Sequence, residues 1–219
     1  MPDRPEAEDR PSLRAEQVKQ TRAALVEAGR LLFGRDGFAA TSVDDLARQA
    51  RVTTGALYYH FPNKATLFET VFEAVHGELL DAAERAASDA SDELEFLALG
   101  FEAYLDQLLK PDVQRIVITD APAVLGLARF TELDERYAFA VIAEALRSAT
   151  AAGKLAVEDP ETVTRLLLGA LVRGGTLIAG SAEPDRTRDA VARAMRKMLD
   201  GFASGTRPLR LQVSQRPDR

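Results

Sequence analysis

The chain has no cysteine and no tryptophan, only two histidines, and aromatic residues make up just 6% of its 219 positions. Without cysteine there is no disulfide framework, no thiolate nucleophile and no thiolate zinc site, which fits a reducing compartment. His60 and His76 are the only imidazoles. No phosphate loop, dinucleotide fingerprint or metal-ligand spacing accompanies them, and Glu73-x-x-His76 alone is a pair that chance places on a polar helix. The expectation is therefore no enzyme, no cofactor and no metal. Long apolar runs are also missing. The best, Leu166 to Ala182, is split by Arg173 into uncharged pieces of 7 and 9 residues, short of the ~20 a spanning helix needs. It reads as a buried helix, with no membrane partner. The opening twelve residues, MPDRPEAEDRPS, carry Pro2, Pro5 and Pro11 and no apolar core, unlike a secretory signal. The expected location is the cytoplasm.

What is present is a soluble, globular composition: 46% hydrophobic, 28% charged, with 34 acidic against 28 basic residues for a net charge of −6. Read as a sum, that charge points away from nucleic acid. Arginine outnumbers lysine 23 to 5 and alanine occurs 37 times, as GC-rich codon usage would produce. Alanine-rich sequence with few aromatics favours closely packed helices.

Almost everything between residues 13 and 203 has helical periodicity, and the longest β-branched stretch is Val113 to Thr119. The fold expected is all-α. Val18, Ala24, Leu25, Ala28, Leu31, Leu32 and Phe33 form one face of a first helix that stops at Gly34-Arg35-Asp36-Gly37. Thr41 and Ser42 each stand three residues before an aspartate, Asp44 and Asp45, so either pair fits a weakened capping box. A short second helix ends near Ala50. Thr53 or Thr54 then caps a third helix of about two turns that closes at Phe61-Pro62, giving a helix-turn-helix pattern. Asn63 caps a long fourth helix with Leu67, Phe68, Val71, Phe72, Val75, Leu79 and Leu80 on one side. Further helices are expected at about 92–110, 111–126, 127–152, 160–181 and 185–203. The domain reading is a disordered tail over 1–12, a DNA-binding unit over 13–64, an effector-binding and dimerisation unit over 65–204, and a tail over 205–219.

Residues 41–64, TSVDDLARQARVTTGALYYHFPNK, are the specific part of the sequence. The run Gly55-Ala56-Leu57-Tyr58-Tyr59-His60-Phe61 with Asn63-Lys64, in register with both short helices and their turn, resembles the DNA-binding region of the tetracycline-repressor (TetR) family of bacterial transcription regulators. The resemblance implies a homodimer on palindromic double-stranded operator DNA, released by a small-molecule effector. The residues agree with it. A helix entering a major groove about 12 Å wide needs short side chains at its leading end, and Thr53, Thr54, Gly55 and Ala56 supply them. Thr53 and Thr54 are candidates for base contact, and each could equally serve as a cap. Tyr58, Tyr59, His60, Lys64 and Ser42 are candidates for phosphate contact, whereas Leu57 and Phe61 belong to the core. Arg51 stands where the family usually has glycine, in a turn that tends toward left-handed geometry. An arginine there costs on the order of 1 kcal/mol and brings a cation to the groove; phosphate contact and a merely solvated side chain are both open.

In the larger C-terminal part, large or polar residues on apolar faces are candidates for a ligand pocket: Phe72, His76, Phe101, Tyr104, Leu108, Phe130, Tyr137, Arg173 and Thr176. Ordinary core is the competing reading for each. Arg173, in LLLGALVRGGTLIAG, is expected to meet Asp120, Asp134, Glu144 or an acidic ligand. The effector itself is expected to be lipophilic. Leu167, Leu171, Ile178, Val191, Met195, Met198, Leu199 and Phe202 are candidates for a four-helix dimer interface, with Gly169, Gly174 and Gly175 permitting close approach; intramolecular packing is the alternative. A helical adaptor, or a regulator without an effector, is the alternative function. Residues 14–64 carry a net charge of +3, leaving −9 on the rest. An acidic body with a basic N-terminal end would orient the approach to a duplex.

Overall fold

The computed structural model describes residues 13–203, and the tails expected at 1–12 and 205–219 lie outside the described residues. In chain order the helices are α1 Leu13–Asp36, α2 Val43–Gln49, α3 Thr54–His60, α4 Lys64–Ala87, α5 Glu93–Gln107, α6 Pro111–Gln114, α7 Ala121–Leu125, α8 Leu127–Ala151, α9 Pro160–Ala179 and α10 Pro184–Gly201. The one helix expected over 111–126 is instead α6 and α7 joined by a π-helical turn, Arg115–Asp120, that buries Ile116, Val117 and Ile118. Extended pairing among the described residues is limited to a bridge between Leu155 and Ala203. The fold is all-α.

Local chemistry sets the first four helices. Gly37, at φ 87°, ends α1. Of the two capping boxes the sequence allows, Ser42 with Asp45 forms: the serine oxygen accepts from the Asp45 N–H, and the carboxylate returns to the Ser42 backbone. Thr41 turns inward instead, its hydroxyl donating to the Gly37 carbonyl at 2.8 Å. Thr53 caps α3 and Asn63 caps α4, each accepting from the N–H three residues on. Leu25, Leu32, Phe33, Leu46, Leu57, Phe61, Leu67 and Phe68 make the core of this end.

Helix α4 runs out of that small core into the body, where it packs on α5, α8 and the π-helical turn. Close approaches are fixed by glycines. A Cβ on Gly34 would lie 2.8 Å from Asp112 Cβ, so α6 lies directly against α1.

The C-terminal pair departs from expectation. Helix α9 is long and apolar enough to cross a membrane, but it packs between α8 and α10 and buries Leu167, Leu168, Leu171 and Ile178 within the chain. Leu167, Leu171, Ile178, Met195 and Leu199 are therefore core residues rather than interface residues, while Val191 and Phe202 are half-buried. Of the interface candidates only Met198 stands exposed; Leu166 and Leu177 of α9 are exposed as well. Gly174 and Gly175 serve intramolecular packing as well: added Cβ atoms would come within 2.6 Å of Val191 and Ile118. Of these three glycines, Gly169 faces open space. The reason lies in composition. Apolar side chains cover well over half of the circumference of α9, more than its neighbours bury, so periodicity could not tell which of them would stay outside.

Candidate nucleic-acid interface and ligand cavity

Helix α3 hangs on two buried anchors, Leu57 and Phe61, at 0% and 1% exposure. Arg22 of α1 covers the Phe61 ring at 5.0 Å. With those side chains inward, the 100° rotation per residue throws Gly55, Tyr58 and Tyr59 outward. Tyr59 is 76% exposed and Tyr58 52%, large for aromatic residues in so small a unit. A Cβ on Gly55 would touch only the Thr53 hydroxyl, so bare backbone faces outward there. Thr53 is exposed but its oxygen already accepts from Ala56 N–H at 3.1 Å; Thr54, Ala56 and His60 are half-buried. The His60 ring lies edge-on to Tyr59 at 5.2 Å.

The turn before α3 contains Arg51 at φ 59°, which among the described residues is the one non-glycine with positive φ. Its guanidinium is exposed and makes no ion pair among them, whereas Arg35 and Arg48 are tied to Asp36 and Asp45. Ser42 is exposed, but its hydroxyl is spent on Asp45 at 2.5 Å, so a phosphate contact would compete with the cap. Lys64 does more than stand at the start of α4. Its ammonium donates to the carbonyls of Phe38 at 2.7 Å and Thr41 at 2.8 Å and lies 4.2 Å from the Phe38 ring centre. One N–H of the ammonium is left for another partner.

The same 37–41 loop is held from the other side by Asp120, whose carboxylate accepts the Phe38 N–H at 2.7 Å. Sequence reading missed Asp120 in this role, because a contact across 82 positions leaves no local pattern.

A narrow, partly open cleft lies between α4, α5, α8 and α9. His76, Phe101, Tyr104 and Tyr137 are among the residues that line it. Phe72 and Phe130 stand behind, Phe72 stacked on His76 at 5.3 Å and against Phe130 at 5.8 Å. The other candidates do not reach it. Leu108 is fully buried where α5 meets Gly175, and Arg173 and Thr176 are exposed on the outer flank of α9. Arg173 meets none of the acids proposed for it: Asp120 holds Phe38, Asp134 faces His76, and Glu144 pairs with Arg147. A guanidinium facing solvent needs no such partner, which removes the reason for expecting one.

Asp134, Phe96, Val141 and Leu168 are cleft residues the sequence reading did not assign to the pocket. A lone aspartate among Leu133, Tyr137 and Ala138 on α8 was the available signal. Asp134 Oδ1 lies 3.6 Å from His76 Nε2, too far for a hydrogen bond. Both groups shift toward neutrality. Burial lowers His76 to about 4 and, with a smaller push from Glu135, raises Asp134 to about 7. Burial, and then the Asp134 charge, also push the Tyr104 phenol up.

A short exposed helix after a tight turn, carried on a larger helical body with its own cleft, defines the class of helix-turn-helix DNA-binding proteins. Comparison with known proteins narrows this. Residues 25–71 match the model for bacterial regulatory proteins of the tetR family, and residues 94–202 that for the tetracyclin repressor-like C-terminal domain. A solved TetR-family transcriptional regulator from Pectobacterium atrosepticum is 31% identical, with a TM-score of 0.76 over 88% of this chain and 98% of that one. An HTH-type transcriptional repressor of Streptomyces coelicolor is 26% identical over 85% of this chain and 98% of its own length. RolR, solved in complex with resorcinol, has a TM-score of 0.62 over 84% of this chain and 89% of its own, and at 21% identity shares the fold alone. The chain belongs to the TetR family of bacterial transcription regulators, and it is a DNA-binding regulator rather than an enzyme.

Proposed function

We propose that the chain is a cytoplasmic homodimeric repressor whose two α3 helices seat in successive major grooves of a palindromic operator and are released when a small molecule fills the cleft. The observation that carries this is the outward pair Tyr58 and Tyr59, next to the unpaired Arg51, on a helix otherwise anchored by Leu57 and Phe61. In this reading Thr54, Gly55 and Ala56 approach the bases, and Ser42, Arg51, Thr53, Tyr58, Tyr59, His60 and Lys64 engage the backbone. The DNA-binding unit is residues 13–64, and 65–204 form the effector and dimer unit. Dimerisation is supported by the outer faces of the last two helices. Leu166, Gly169 and Leu177 on α9, and Ala194 and Met198 on α10, are left uncovered, with Arg173 and Thr176 on the same outer side of α9. One short helix reads too few base pairs to be selective, and a second copy supplies the rest. That RolR holds resorcinol supports a small-molecule role for the cleft.

The test is a mobility shift with the genomic DNA flanking the gene, alongside sedimentation of the free protein. Expected are a dimer, a shifted fragment containing an inverted repeat, and affinity that falls steeply with salt. A monomer, or no shifted fragment at low salt, overturns the proposal.

A further inference from the structure

The cleft between α4, α5, α8 and α9 has a chemistry that selects among ligands. Its inner end is polar and its walls are not. His76 reaches in from α4 at 1% exposure with neither ring nitrogen hydrogen-bonded, and Asp134 stands opposite on α8 at 7%. Tyr104 and Tyr137 rings lie 6.4 and 5.7 Å from the imidazole. Helix α9 contributes only Leu168, Leu171 and Val172. Glu84, two turns along α4 from His76, stands exposed at the rim. Among the described residues the lining thus contains two carboxylates and no arginine or lysine.

Each feature bears on the ligand's charge. An anion would enter an apolar-walled site with no arginine or lysine among the described lining residues to meet it and a carboxylate against it, which is the costly arrangement for a buried charge. A cation would find a carboxylate, aromatic faces, and an imidazole nitrogen able to accept a hydrogen bond. A neutral alcohol could satisfy one acceptor and leave the other.

We infer that the cleft takes a lipophilic cation with N–H donors on a flat apolar body, its ammonium placed between Asp134 and His76 and its body against Phe96, Phe101 and Val141. Ion pairing with Asp134 offsets the desolvation of both charges. The raised proton affinity of Asp134 agrees with a carboxylate that lacks its counter-ion. The inference rests on the reading of this cleft as the effector site, and the experiment separates the two.

The full-length protein is titrated calorimetrically with 2-naphthylmethylamine, 2-naphthylmethanol and 2-naphthoate, probes of one shape and three charges. The amine is expected to bind at least about 10-fold more tightly than the alcohol, a difference of about 1.4 kcal/mol, with the carboxylate weakest. Asp134→Asn, whose folding is checked by its melting curve, is expected to lose the amine's advantage and keep the alcohol's affinity. Val141→Trp, at the mouth and away from the polar end, is expected to weaken both. Alcohol or naphthoate binding as tightly as the amine, an amine preference that survives Asp134→Asn, or no binding by any probe overturns the inference. Operator release is followed in the same samples. An alcohol that binds well and frees the operator defeats the charge selectivity and leaves the repressor reading standing; an amine that binds selectively without freeing it does the reverse.

Discussion

Asp120 accepts the backbone N–H of Phe38 at 2.7 Å, joining the end of the π-helical turn to the loop that positions α2 and α3. From the opposite side Lys64 holds the carbonyl of the same residue. Phe38 is thereby fixed by two charges from distant parts of the chain, and its ring packs edge-on to Phe68 at 5.3 Å. Asp120→Ala leaves a half-buried N–H without its acceptor and is expected to cost about 1–3 kcal/mol in urea unfolding. Asp120→Asn keeps an acceptor oxygen and should recover most of that loss. An unchanged midpoint for the alanine variant would show that the loop holds its shape without this bond.

Arg51 adopts φ 59°, a conformation that glycine takes without strain. Arg51→Gly is expected to raise stability by about 1 kcal/mol, the scale of the left-handed penalty. Its effect on operator binding separates the two readings of the side chain. If the guanidinium touches phosphate, Arg51→Gly and Arg51→Ala both lower affinity and reduce the salt slope by about 1. Equal slopes for all three proteins assign Arg51 to solvent.

Tyr59 and Lys64 should differ in stability, though not in binding, when the two are measured side by side. Tyr59 is largely exposed, so Tyr59→Ala is expected to move stability by less than about 0.5 kcal/mol while weakening operator binding. Lys64→Met keeps an apolar stem over Phe38 but strips two carbonyls of their donor. It should cost about 1–3 kcal/mol and weaken DNA binding as well, through the displaced loop. Full stability in Lys64→Met would remove its bracing role.

The His76–Asp134 pair predicts a pH signature. Asp134 is raised to about 7 from 3.8, so the folded chain keeps a proton that the unfolded chain has released. Its contribution is complete below about pH 4 and is lost as pH rises toward about 7. His76, lowered to about 4 from 6.5, stays neutral where the unfolded chain binds a proton, so its contribution grows as pH rises through that window. The two oppose each other between about pH 4 and 6.5, and a single variant unmasks the survivor. The stability of Asp134→Asn relative to the parent is expected to rise from about pH 4 to about pH 7, read as thermal midpoint at roughly 2–4 °C per kcal/mol. Parallel curves for the two proteins would rule out a buried, uncompensated carboxylate.

Much of this was legible in sequence because it is local. Ser42, Thr53 and Asn63 cap through bonds to residues three positions on, and the spacing of Leu67, Phe68, Val71, Phe72 and Val75 fixes the buried side of α4. Leu57 and Phe61 as anchors, with Tyr58 and Tyr59 outward, follow from helical rotation alone. Even the strained turn at Arg51 was visible, since the family pattern places a glycine there.

Which side of α9 would stay exposed was not legible, for a physical reason. Leu166 and Leu177 stand beside the arc of Leu167, Leu171 and Ile178 on α9, and side chains alike in hydrophobicity carry no label for which will be buried and which will be left outside. Arg173 looked buried because its neighbours are apolar, yet it occupies the flank that the neighbouring helices leave open.

By itself, then, the sequence determined the all-α class, the helix-turn-helix and its exposed face, because capping, turn strain and helical period act within a few residues. Tertiary structure alone decided that Asp120 and Lys64 clamp Phe38, that Asp134 meets His76 across an apolar cleft, and that α9 turns Leu166 and Leu177 outward. Those outcomes depend on which surfaces of distant helices exclude water together, and no short stretch of residues encodes that choice.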